Sequence, residues 1–97
     1  MYGTVARIRV KPGMEDKLRQ LSREQDEAGI PGLVFEHVYR LDAGRDEYIL
    51  VVAFESREAY VANGNSPEQH QRYLENRALL EADPEWQDGE IVYSFPH

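Results

Sequence analysis

Hydrophobic and polar positions along this chain follow two rhythms, a period of two and a period near three and a half, and their order outlines a fold. Tyr2, Thr4, Ala6, Ile8 and Val10 share one parity while Val5, Arg7 and Arg9 hold the other, which predicts a strand over Tyr2–Val10. Lys11-Pro12-Gly13 ends it, because proline brings no N–H to a ladder and glycine turns at low cost. Steps of three and four then link Met14, Leu18, Leu21, Gln25 and Ala28, the inner stripe of a helix with a charged outer side. Gly29-Ile30-Pro31-Gly32 stops that helix. Alternation resumes over Leu33–Leu41, with Leu33, Phe35, His37, Tyr39 and Leu41 on one face and Val34, Glu36, Val38 and Arg40 on the other. Asp42–Asp46 has the length of a hairpin loop, with Gly44 to take a positive φ, and the third strand returns from it. Ser56 then caps a short helix that reaches Asn63 and stops at Gly64. Ser66-Pro67-Glu68-Gln69 opens a second long helix with an N-cap serine, proline at the first helical position and a capping-box glutamine. That helix is predicted to run to about Ala82, ended by Asp83-Pro84, and a last strand is read over Gly89–Phe95.

The third strand carries the most weight. From Tyr48 to Phe54 every position is apolar, whereas a strand with one wet face would alternate. Both faces are therefore expected to be covered. Two long helices cover one side of a four-stranded sheet, and a second copy of the same sheet is the simplest cover for the other. The expectation is one domain over residues 1–97, an α+β, ferredoxin-like βαββαβ unit with a four-stranded antiparallel sheet, working as a homodimer through the sheet face.

Composition narrows the partners. Eleven basic against 18 acidic residues give a net charge of −7, which repels phosphate backbones and disfavours nucleic acid and anionic membrane surfaces. The chain has no cysteine, so it has no thiolate nucleophile, no thiolate metal ligand and no disulfide. No run approaches the ~20 apolar residues of a membrane span, and the first strand starts at once, so a cytoplasmic location is expected.

Several side chains are candidates for chemistry. His70 lies one turn into the second long helix on a stripe with Tyr73, Leu74 and Ala78, where an imidazole facing the sheet could act as a base or be a half-buried residue held by a carbonyl. His37 and Tyr39 share a strand face with Phe35, so they line either an apolar ligand cavity or the contact with a partner subunit. Asn63 and Tyr60 end the short helix, over a cavity mouth or simply in an Asn-Gly turn with one packed aromatic. Trp86, the lone tryptophan, either pins the loop after Pro84 or stacks on an aromatic ligand. Glu36 and Arg40, with Arg7 and Arg9, are read as cross-strand ion pairs of small energetic weight. No glycine-rich dinucleotide fingerprint, phosphate loop, paired metal-ligand histidines or nucleophile elbow occurs, so no cofactor and no metal are expected.

The segments VARIRVKPGMEDKLRQL, YILVVAFES, REAYVANGNSPEQHQRYLE and GEIVYSF, in that order, resemble the antibiotic biosynthesis monooxygenase (ABM) domain family across nearly the whole chain. The resemblance implies a dimeric α/β barrel with one pocket per subunit between sheet and helices. It also implies cofactor-independent oxygenation of a small aromatic, phenolic or quinol compound that supplies its own electrons, with His70 and Tyr73 as catalytic candidates and Phe35, His37, Tyr39, Tyr60, Asn63 and Trp86 around the ligand. In the haem-degrading branch an asparagine, a tryptophan and a histidine stand where this chain has Ala6, Asn63 and Tyr73, departures that leave a haem-binding or haem-degrading protein as the lesser alternative. A non-catalytic module that binds a small hydrophobic ligand is the alternative from another class.

Overall fold

The chain runs β1 (Tyr2–Arg9), α1 (Glu15–Glu27), β2 (Leu33–Arg40), β3 (Glu47–Phe54), α2 (Arg57–Gly64), α3 (Pro67–Arg77) and β4 (Glu85–Glu90). The structure is a computed structural model that describes residues 1–96. Its strands form one antiparallel sheet in the order β2-β3-β1-β4, so β3, apolar from Tyr48 to Phe54, and the alternating β1 are the inner pair, as their composition requires. This is the βαββαβ arrangement, with the short α2 inserted before α3.

The core sits at one end of the layer between sheet and helices. Ala6, Ile8 and Val10 of the β1 region, Leu18 of α1, Tyr48 of β3 and Leu80 form a single buried cluster. Leu80 gets there by leaving the helix early. α3 ends at Arg77, five residues short of the predicted Ala82, and Leu80 then bridges Val10 while the Lys11 N–H donates to the Leu79 carbonyl. Burial of one leucine and two backbone bonds outweigh another turn of an exposed helix.

Four further expectations are corrected. The last strand is Glu85–Glu90, paired to β1 from Tyr2↔Glu90 to Arg7↔Glu85, and the apolar alternation of Ile91–Phe95 falls outside any strand. An edge strand exposed along its whole length needs no apolar residues, which is why its polar sequence was unreadable as a strand. In the hairpin, Asp46 takes the positive φ (61°) instead of Gly44. A register shift between Leu33 and Phe35 breaks the parity of β2, so Leu33 faces the helices and Phe35 faces away. The predicted cross-strand pairs also fail: Arg7 and Arg9 bind Glu47 on the outer face, whereas Arg40 binds Glu15 of α1 on the inner one. Glu36 shares the inner face but joins none of these pairs.

Gly32, with φ +80°, turns the chain from α1 into β2 where a Cβ would lie 2.7 Å from the Ala59 side chain. Only glycine meets both demands. That turn sets α2 against the end of the sheet, beside the cavity described next.

Candidate functional site

Beside the packed cluster, whose Ile8, Leu18 and Leu80 also line it, sheet and helices part to leave a cavity of about 680 Å³, within the range of small-molecule sites. Its floor is two rows of the sheet read off the strand register. Val38, Leu50 and Trp86, with the fully buried Ala6 of the core between the last two, make an apolar row; Glu36, Val52, Thr4 and Asp88 make the next, with polar groups at three of four places. Its walls come from the helices: Leu18, Gln25 and Asp26 of α1, Tyr60 and Asn63 of α2, and Gln69, Arg72, Tyr73 and Asn76 of α3.

The polar wall is organised around Arg72. Its guanidinium donates to the Asn63 side-chain carbonyl (2.8 Å) and to that of Gln69 (3.0 Å), tying α3 to α2. Asn76 donates to Gln25 (3.0 Å), tying α3 to α1. Ser66 Oγ accepts from the Gln69 N–H and donates to the Asn63 carbonyl, so the cap that starts α3 also fixes the end of α2. The capping-box glutamine turns to Arg72. Across the cavity the Tyr60 hydroxyl donates to Asp88 (2.8 Å), and burial together with that bond pushes the phenol up to about 12.

Thr4 and Glu36 are less well provided. Thr4 is 5% exposed, and the group that bears on its Oγ1 is the neighbouring Tyr60 phenol, which already donates to Asp88. Glu36 is mostly buried, and burial first, then the neighbouring Asp26 charge, pushes its carboxyl up to about 7. Asp26 is itself raised by burial, with Arg72 opposing. Glu36 escaped notice as a site residue because it was read as a member of cross-strand ion pairs with Arg40, Arg7 and Arg9. The usable signal was its position between Val34 and Val38 on a strand apolar on both faces.

The candidate residues divide by face. Tyr60, Asn63, His70, Tyr73 and Trp86 line the cavity. His70 is exposed at its rim, because the inward stripe of α3 is Gln69, Arg72, Tyr73, Asn76 and Arg77, one step from the apolar stripe through His70 and Leu74. A helix that walls a polar cavity turns its polar side inward, so apolar periodicity misplaced it. Trp86 stands in β4, opposite Ala6, and not in a loop. Phe35, His37 and Tyr39 pair with Ala53, Val51 and Ile49 on the opposite face, outside the cavity; Phe35 and His37 stack with ring centroids 4.9 Å apart, and Tyr39 is 58% exposed. Of their two sequence readings, the cavity one is therefore corrected. Among the described residues no group of three or more acidic, histidine or cysteine side chains could hold a metal ion, and no helix is long and apolar enough to cross a membrane.

Known structures share this architecture. SnoaB, a cofactor-independent oxygenase from Streptomyces nogalater crystallised as a variant, superposes with a TM-score of 0.80 at 16% identity, covering 99% of this chain and 97% of that one. A protein of Chloroflexus aurantiacus J-10-fl whose name carries an antibiotic biosynthesis monooxygenase designation gives 0.76 at 22% identity, covering 96% and 94%. A conserved protein of Methanosarcina mazei Go1 gives 0.76 at 14%, covering 91% and 89%. At such identities the likeness concerns the fold. No curated protein matches the chain significantly. The family profile "Antibiotic biosynthesis monooxygenase" matches residues 1–75, from β1 through most of α3 and thus nearly every wall of the cavity. With fold and profile in agreement, the chain belongs to the antibiotic biosynthesis monooxygenase family.

Proposed function

We propose that this protein is a cytosolic, homodimeric, cofactor-independent oxygenase of a small phenolic, quinol-type or similarly electron-rich aromatic compound. The observation that carries the reading is the cavity itself, with an apolar floor row ending in Trp86 and a polar wall built on Asn63, Arg72, Tyr60 and Tyr73. An aromatic body suits the first and ring oxygens suit the second. Removal of a proton from a phenol or activated methylene leaves an anion able to pass an electron to dioxygen. Recombination of the two radicals forms a C–O bond, and loss of water from the peroxide leaves a carbonyl. One oxygen atom enters the product, the other leaves as water, and the substrate supplies all the electrons. The protein's tasks are to take the proton, bind the oxygens and exclude water. The fold neighbour described as a cofactor-independent oxygenase supports the same chemistry. His70 and Tyr73 are placed in this reading at the mouth and wall, where they contact the ligand.

An oxygen electrode with a panel of anthrones and hydroquinones tests it. Uptake of one dioxygen per substrate, with one labelled atom from ¹⁸O₂ in a carbonyl product, is the expected result. Tight binding across the panel with no uptake would assign the cavity to a non-catalytic binding module.

A further inference from the structure

We propose that Glu36 is the proton acceptor of this cavity, receiving the hydroxyl proton of a phenolic ligand that is also held by Thr4. The inference rests on the reading of the cavity as a phenol site and names the residue that reads the hydroxyl. Three observations converge on it. Glu36 lines the cavity floor and no hydrogen bond or ion pair contributes to its ionisation. Thr4, in the same row of the sheet and separated from Glu36 by Val52, holds a buried hydroxyl whose neighbour is the Tyr60 phenol, itself committed to Asp88. With strands about 4.8 Å apart, the two backbone positions stand about 10 Å apart, a span that a fused aromatic bridges. A buried polar group short of hydrogen bonds is costly, and a ligand with hydroxyls at its ends satisfies both.

The other titratable groups facing the cavity are less suited. Asp88 already accepts from Tyr60, whose phenol is held protonated well above neutral pH. Arg77 is bound to Asp83, and Arg40, on the same strand as Glu36, is bound to Glu15. Asp26 of α1 and Arg72 of α3 face each other electrostatically, and Asp26 raises the proton affinity of Glu36. Tyr73 offers a hydroxyl, which donates as well as accepts, and His70 stands exposed at the rim. An acceptor whose proton affinity is matched to neutral pH is efficient in both directions. In the step, the ligand O–H bond breaks, its electron pair stays on the ligand oxygen, and the proton joins a Glu36 carboxylate oxygen. The resulting phenolate is the species that dioxygen then oxidises.

The test is an oxygen-free titration with 2-naphthol, whose hydroxyl stays protonated in water between about pH 5.5 and pH 8.5, followed by its fluorescence. In the wild type, affinity should rise about fivefold through pH 7, as a neutral acceptor becomes a charged one. Glu36→Gln should bind with no pH step. Thr4→Val should bind 2-naphthol, whose single hydroxyl is on Glu36, with unchanged affinity and the step retained, and should bind naphthalene-2,6-diol, with a hydroxyl at each end, about fivefold more weakly than the wild type does. A flat wild-type profile, a step retained in Glu36→Gln, or no binding of 2-naphthol overturns the proposal. Because no oxygen is present, failure of turnover leaves this outcome untouched. Conversely, if a member of the oxygen-electrode panel is turned over, Glu36→Gln should lower kcat/KM about 100-fold. An unchanged rate and pH profile would remove Glu36 and leave the oxygenase reading standing.

Discussion

At Glu36 the folded chain holds a carboxylate that water reaches only in part, and the consequence for stability has a definite sign. Its carboxyl is raised from 4.5 to about 7, so folding favours the protonated form. The contribution is fully present below the unfolded value, near pH 4.5, and is lost as pH rises through about 7. Glu36→Gln should therefore unfold like the wild type at about pH 4 and be more stable at about pH 8, by on the order of 3 kcal/mol. Urea unfolding at the two pH values checks this, and equal midpoints at both would refute it. A substitution that stabilises while removing the proton acceptor is the trade expected of a functional group held against its solvation. Gly32 is the opposite case. Gly32→Ala must adopt φ +80° and meet Ala59, so it should lose about 2 kcal/mol and lower Tm by roughly 10 °C for a chain of this size.

Among the elements, those whose local chemistry agrees with their surroundings were legible in the chain. Ser66 and Pro67 announce α3 because the cap and the fixed φ are local, and the Ser66 hydroxyl does accept from the Gln69 N–H at 3.1 Å. Ser66→Ala should cost about 1 kcal/mol. It should also weaken ligand binding, since the same hydroxyl donates to the Asn63 carbonyl and steadies the Asn63–Arg72 bond in the wall. Thermal melts with and without ligand measure the two losses separately; a stability loss with unchanged affinity would detach the cap from the site. β3 was legible for a similar reason, because its apolar run falls on a strand with no residue fully exposed on either face. β4 was not, since Glu85–Glu90 is a strand by pairing with β1 alone and none of its residues needs burial. The inward face of α3 was misjudged because a helix above a cavity packs on ligand space, which apolar periodicity does not record. The site was half legible for the same reason: Tyr60, Asn63 and Tyr73 were marked by type and place, whereas Glu36 and Thr4 acquire meaning only from the row that joins three strands.

For the whole molecule, the helices cover one face of the sheet and leave the other with Val5, Phe35, Tyr39, Ile49 and Val51 along its inner and edge strands. Beyond β4, Val92, Tyr93 and Phe95 are exposed as well, at 92%, 76% and 80%. A monomer seldom leaves an apolar sheet face of this kind uncovered. A self-complementary sheet face related by a twofold axis would cover it with no new sequence, and Phe35, His37 and Tyr39 would then be contact residues between subunits. The net charge of −7 is no obstacle, because Arg7 and Arg9 on that same face are each bound to Glu47. Sedimentation at micromolar concentration should therefore give a dimer. Val51→Asp places an unpaired charge at the centre of the patch, opposite both Val5 and His37. It should weaken dimerisation by about 3 kcal/mol, more than a hundredfold in the dissociation constant. The cavity lies on the far side of the sheet, so binding of 2-naphthol by the dissociated variant should persist. A wild type that sediments as a stable folded monomer would overturn the dimer.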